Sequence, residues 1–210
     1  MHLAKIEKIS PEAVFVIYKL TETNLASCDI SFLNEHDLAE WRLISHPQKQ
    51  IEWLGARFAL KKVLEEMSLP YTSAIKDEFG KPHLIGIKGF ISFSHTSQYA
   101  AAYYHKDQHI GIDLEEGKSN LLKVKSKFLN EDELKEAGNN LEKLTIYWGA
   151  KEAIFKAKGR TGISLKNNIR IAPFVVDQEM YHGKVVEEDS ENHYILRKSQ
   201  IRETQIIYTV

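Results

Sequence analysis

The chain has 210 residues, 43% of them apolar and 27% charged, which excludes a disordered protein and allows one large or two small folded domains. Its 28 Lys and Arg against 29 Asp and Glu leave a formal charge of -1, so no overall basic field marks a nucleic-acid binder. One cysteine, Cys28, excludes an internal disulfide framework or a multi-cysteine metal site, and the absence of a long apolar run points to a cytoplasmic protein that neither enters nor crosses a membrane.

In chain order, Ala13 to Leu20 is rich in β-branched and aromatic residues and reads as a buried strand. From Pro47 to Met67, Ile51, Leu54, Phe58, Val63, Leu64 and Met67 follow helical spacing, with Pro47 at the first helical position. Arg57 and Lys61, four apart, share one face of that helix. Phe79-Gly80-Lys81-Pro82 reads as a turn, and three strands follow over Phe90 to Ser94, Tyr99 to His105 and His109 to Glu115, the last two as a hairpin. Asn130 followed by Glu133 forms a capping box that opens a helix stopped by Gly138. Leu141 to Lys158 is a second helix with Gly159 at its end. Strands are expected over Asn168 to Val176, Met180 to Val186, His193 to Arg197 and Gln205 to Val210. Without strict strand–helix alternation the class is α+β, and the natural division falls at Lys106-Asp107-Gln108, giving residues 1–105 and 106–210.

Three constellations carry chemistry. In Gly111-Ile112-Asp113-Leu114-Glu115 a strand points Asp113 and Glu115 to one face, where two carboxylates repel unless a cation lies between them, and oxygen ligands suit magnesium. In Trp148-Gly149-Ala150-Lys151-Glu152-Ala153-Ile154-Phe155-Lys156 a helix puts Trp148, Glu152 and Lys156 on one side, mixing charge with an aromatic as a cleft wall does. Taken alone, these patterns also fit a solvated strand end and an ordinary surface ion pair. The third, Phe93-Ser94-His95-Thr96, ends a strand in hydroxyls and an imidazole that suit phosphate oxygens; a Ser94–His95 hydrolase is the weaker alternative, since adjacent strand residues diverge. Lys158-Gly159-Arg160-Thr161-Gly162 lacks the spacing of a phosphate loop.

The order Gly80-Lys81-Pro82, Ser94-His95, Gly111-x-Asp113-x-Glu115 and Trp148-x-x-Lys151-Glu152-Ala153-x-x-Lys156 resembles the 4′-phosphopantetheinyl transferase superfamily, and more narrowly its surfactin-synthetase-activating (Sfp-type) branch. The resemblance implies a monomer of two similar halves related by a pseudo-twofold axis, with coenzyme A in the cleft between them. It implies magnesium-dependent transfer of 4′-phosphopantetheine from coenzyme A to a serine of an apo acyl or peptidyl carrier protein, releasing adenosine 3′,5′-bisphosphate. Carried across by position, Asp113, Glu115 and Glu152 would hold the metal, Glu152 would act as base, and Lys156 would stabilise charge on the pyrophosphate. Lys81, Ser94 and His95 match coenzyme A contacts, and Arg57 matches a contact to the 3′-phosphate. Gly149 departs from the Ser, Thr or Cys of many relatives. The stretch 116–147 would face the carrier, with Lys118, Lys123, Lys125 and Lys127 suited to its acidic surface. A chain that binds without transferring is the non-catalytic alternative.

Overall fold

Two β-rich segments at the amino end fold back on each other: β1 (His2–Ser10) and β2 (Ala13–Lys19) pair antiparallel. After α1 (Glu35–Arg42) and α2 (Pro47–Glu66) come the short pair β3 (Ala74–Lys76) and β4 (Pro82–Leu84), then β5 (Phe90–His95) and β6 (Tyr99–His105). The sheet order is β1-β2-β6-β5. Helix α2 lies on this sheet, packing Ala59, Leu60, Val63 and Leu64 against Val14, Val16, Ile91, Ala102 and Tyr104. The computed structural model describes residues 1–21, 28–159 and 162–210, so Arg160 and Thr161 of the Gly-containing turn lie outside the described residues.

The second half begins with β7 (Ile112–Glu116), followed by α3 (Asn120–Phe128), α4 (Glu131–Ala137) and α5 (Leu141–Lys158). It ends in β8 (Ile169–Ile171), β9 (Met180–Glu187), β10 (Ser190–Ile201) and β11 (Thr204–Thr209). These strands form an antiparallel sheet ordered β7-β11-β10-β9-β8. Helix α5 is buried on most sides, and Leu144, Tyr147, Ala150 and Ile154 enter a core with Ile171, Tyr181, Val185, Leu196 and Ile207. The fold is therefore α+β, built as two units: Met1–Glu78 with Pro82–His109, and Ile110–Val210 with Phe79–Lys81. Compared with a division at 105/106, the chain parts four residues later and the Phe79–Lys81 turn joins the second unit. Among the described residues no helix is long and apolar enough to cross a membrane.

Local rules account for the helix ends. Pro47 opens α2 where a missing N–H costs nothing. Asn130 accepts from the backbone N–H groups of Asp132 and Glu133 while Glu133 accepts from that of Asn130, the reciprocal cap expected of α4. Gly159 closes α5 at φ 64°, a left-handed conformation costly for other residues.

One pairing differs from expectation. β6 and β7 are not a hairpin: β6 pairs with β5 and β2, whereas β7 pairs with β11 at the far end of the chain. β7 thereby becomes the edge of the second sheet, with Asp113 opposite Ile207 and Glu115 opposite Gln205. Gly111 lets β7 come this close to α5, since a Cβ there would lie 1.9 Å from the carbonyl oxygen of Ala153. Gly149 serves a gentler approach, as its Cβ would meet Ile207 Cδ1 at 3.1 Å. Replacing Gly111 by Ala should destabilise the protein by about 3 kcal/mol or more because backbone must move. Gly149→Ala should stay within about 1 kcal/mol of the parent, the helix preference of Ala offsetting the tight contact. Urea unfolding of the two variants checks both figures.

Candidate active site

β7 and α5 present the chemistry of the second unit. Asp113, 6% exposed, accepts from Lys156 Nζ at 2.7 Å, and the same ammonium donates to the carbonyl of Ile112 at 2.9 Å. Glu115, two residues along β7, shares the face of Asp113. Glu152 and Lys156 lie four apart on α5, and with Trp148 they form a half-buried stripe on a helix whose middle is otherwise largely buried. Trp148 packs edge-on against Phe128 of α3, with ring centroids 5.0 Å apart.

The carboxylates feel one another. Burial, and then the charge of Asp113, push the Glu115 carboxyl up to about 7. Burial and Asp113 also raise Glu152, against the opposing pull of Lys156. The three acids therefore share a partly desolvated space in which negative charge outweighs the pull of Lys156 on Glu152 and of Lys118 on Glu115. The donor set is all oxygen and matches a hard divalent cation. Their ligand atoms are not drawn tightly together, as expected where like charges separate and Lys156 is the counter-ion. Among the described residues, the group whose ligand atoms all lie within 4.8 Å is His36, Asp37 and Glu40 in the first unit. That group already holds a cation, because Arg57 donates to Asp37 at 3.2 Å and to Glu40 at 3.0 Å.

Arg57, expected at a 3′-phosphate, lies deep in the first unit. It is 4% exposed, donates also to the carbonyl of Ala74, stacks over Trp53 with its guanidinium carbon 4.2 Å from the ring centroid, and helps Tyr71 hold Asp37. Two carboxylates and a carbonyl beside its guanidinium give this arginine an organising place in the first unit's interior. Ser94 and His95 end β5: Ser94 is buried, and His95 projects from the opposite face to bring Nδ1 within 3.1 Å of the buried Glu52 carboxylate. That divergence does not assemble a Ser–His dyad. Lys81 is buried in the second unit, where its ammonium donates to the carbonyl of Ala157 at 2.8 Å and so meets the C-terminal dipole of α5. Gly149 faces Ile207, so its missing side chain belongs to helix–sheet packing.

Sequence reasoning gave no task to Lys151, which proves to be fully buried. Its ammonium meets Glu133 at 2.7 Å and the carbonyls of Leu165 and Ile169 at 2.8 and 2.6 Å. The signal was present, since a lysine within the apolar stripe of Leu144, Tyr147 and Ile154 has to be paired. The stretch 116–147, expected to face a carrier, contains helix α3, on which Lys123 and Lys127 are exposed one turn apart. Lys125 turns back to Gly138 and Asn139.

A sheet edge carrying paired acids thus meets a helix carrying an acid and a lysine. A model of the 4′-phosphopantetheinyl transferase superfamily matches residues 109–206, which include every member of that cluster. A holo-[acyl-carrier-protein] synthase of Staphylococcus carnosus is 30% identical over 81 residues, covering 33% of this chain and 69% of that protein. The chain belongs to the 4′-phosphopantetheinyl transferase superfamily.

Lys151→Met should lower stability by about 3–5 kcal/mol, because the buried Glu133 carboxylate loses its cation. Adding Glu133→Gln should restore part of the loss. Denaturant unfolding of the single and double variants reads both effects.

Proposed function

We propose that this protein transfers the 4′-phosphopantetheine arm of coenzyme A to a serine hydroxyl of an apo acyl or peptidyl carrier protein, as an enzyme of the Sfp-type branch. The observation that carries the reading is the charge-coupled cluster Asp113, Glu115, Glu152 and Lys156 on β7 and α5, within the region matched by the superfamily.

In this reading Asp113, Glu115 and Glu152 hold magnesium, which when bound neutralises charge on the pyrophosphate oxygens. The carrier serine oxygen forms a bond to the phosphorus that bears the pantetheine arm. The bond from that phosphorus to the bridging oxygen breaks, and adenosine 3′,5′-bisphosphate leaves with the electron pair. Glu152 takes the serine proton, a role favoured by the burial that raises its proton affinity. Lys156, held in place by Asp113 and the carbonyl of Ile112, stabilises the charge that develops on the leaving phosphate as a fixed cation. Ser94, His95 and Lys81 are the proposed coenzyme A contacts, with His95 oriented by Glu52. Lys123 and Lys127 on α3 offer an acidic carrier its docking charges, and Lys125 contributes less because it is tied to Gly138 and Asn139.

Purified protein incubated with an apo carrier, coenzyme A and magnesium should add one phosphopantetheine to the carrier in intact mass spectrometry, and EDTA should abolish the gain. Glu152→Gln should slow the transfer by about 100-fold or more while the thermal unfolding profile is kept. No mass gain across acyl and peptidyl carriers, with coenzyme A bound, would replace this reading with a binding-only protein.

A further inference from the structure

Gln205 stands on β11 directly opposite Glu115 of β7, and its backbone is also paired with β10. Residues directly opposite on antiparallel strands project to the same face with Cβ atoms about 5 Å apart. Ile207, two residues further along, enters the core beneath α5, so Gln205 lies on the side of the sheet that faces α5, as do Asp113 and Glu115. Its side-chain Oε1 is buried and has no hydrogen-bond partner among the described residues. Turning the amide over would place two unmatched N–H donors there instead of one acceptor.

Buried acceptors left unmatched cost stability, and natural folds keep few of them. The Gln205 oxygen is such an acceptor, and it stands on the face of the sheet where Asp113 and Glu115 already concentrate negative charge and lone pairs. A hydrated cation corrects both imbalances, because its charge offsets the carboxylates and its waters donate hydrogen bonds. An amide suits this place better than a fourth acid, since it adds an acceptor without adding charge.

We propose that Gln205 is a positioning residue of the cation site, its neutral Oε1 accepting from the hydration shell of the ion held by Asp113, Glu115 and Glu152. The inference rests on the metal reading above and adds to it a residue from a strand that the acidic motifs do not contain. Gln205→Met keeps length and shape but removes the carbonyl, and Gln205→Leu removes it with a different shape. Thermal unfolding of the full chain is measured in EDTA, and magnesium is then titrated calorimetrically into each protein with coenzyme A present, against sodium chloride of equal ionic strength. Both variants should melt at or above the parent temperature in EDTA, since an unmatched buried acceptor is gone, yet bind magnesium about ten- to a hundredfold more weakly. Unchanged magnesium affinity in the variants overturns the proposal. So does lowered stability in EDTA, which would mean that the amide is bonded within the metal-free fold. A parent chain that takes up no magnesium removes the metal reading and this inference together, whereas normal uptake by parent and variants removes the role of Gln205 alone.

Discussion

The buried pair of Lys151 and Glu133 is the constraint on which the second unit depends. An ammonium with 0% exposure is stable only if every donor finds an oxygen, and Lys151 finds Glu133 and the carbonyls of Leu165 and Ile169. Glu133 is equally committed, accepting from the backbone N–H groups of Asn130 and Ile171. Four parts of the chain thus meet at one charge pair: the start of α4, the middle of α5, the segment before β8, and β8 itself. The arrangement contributes geometry more than stability, because desolvating both ions consumes much of their attraction. Its consequence lies one residue further on, where Glu152 emerges from α5 toward β7.

On that other side the charges are not matched. Lys151 has three acceptors for its three donors, whereas Asp113, Glu115 and Glu152 crowd their charges, with Lys156 bonded to Asp113 and Lys118 only partly offsetting the rise of Glu115. Close packing makes this possible: the bare backbone at Gly111 admits α5 to the edge strand, and Gly149 admits it to β11. The same helix is therefore locked by a matched pair on its inner side and carries a mismatched cluster on its half-open stripe.

Much of the local structure was legible because it rests on local rules. Proline at the start of α2, the reciprocal cap of α4 and the glycine after α5 are written within a few residues of the ends they define. The edge strand β1, with its charges, and the polar helix α1 lack such a pattern and were not read. Helix α3 carries Leu121, Val124 and Phe128 at helical spacing, but its lysines obscured the stripe. The pairing of β7 with β11 joins segments some ninety residues apart, and no nearby residue encodes it. For the site, the spacing of Asp113, Glu115, Glu152 and Lys156 marked the chemistry. The surroundings of Arg57 and the place of Gln205 depend on which strands and helices meet, and these emerged only from the fold.

The central claim is that Asp113, Glu115 and Glu152 form one electrostatically coupled group on facing elements. Carbon-detected NMR titration of the side-chain carboxyls in metal-free protein tests it most directly. The account predicts that Glu115 titrates near 7, and that Asp113→Asn lowers its midpoint part of the way toward the ordinary carboxylate range while burial keeps the rest of the shift. Glu152 should move in the same direction in that variant. Titration of both glutamates in the ordinary range, unmoved by Asp113→Asn, would contradict the coupled site.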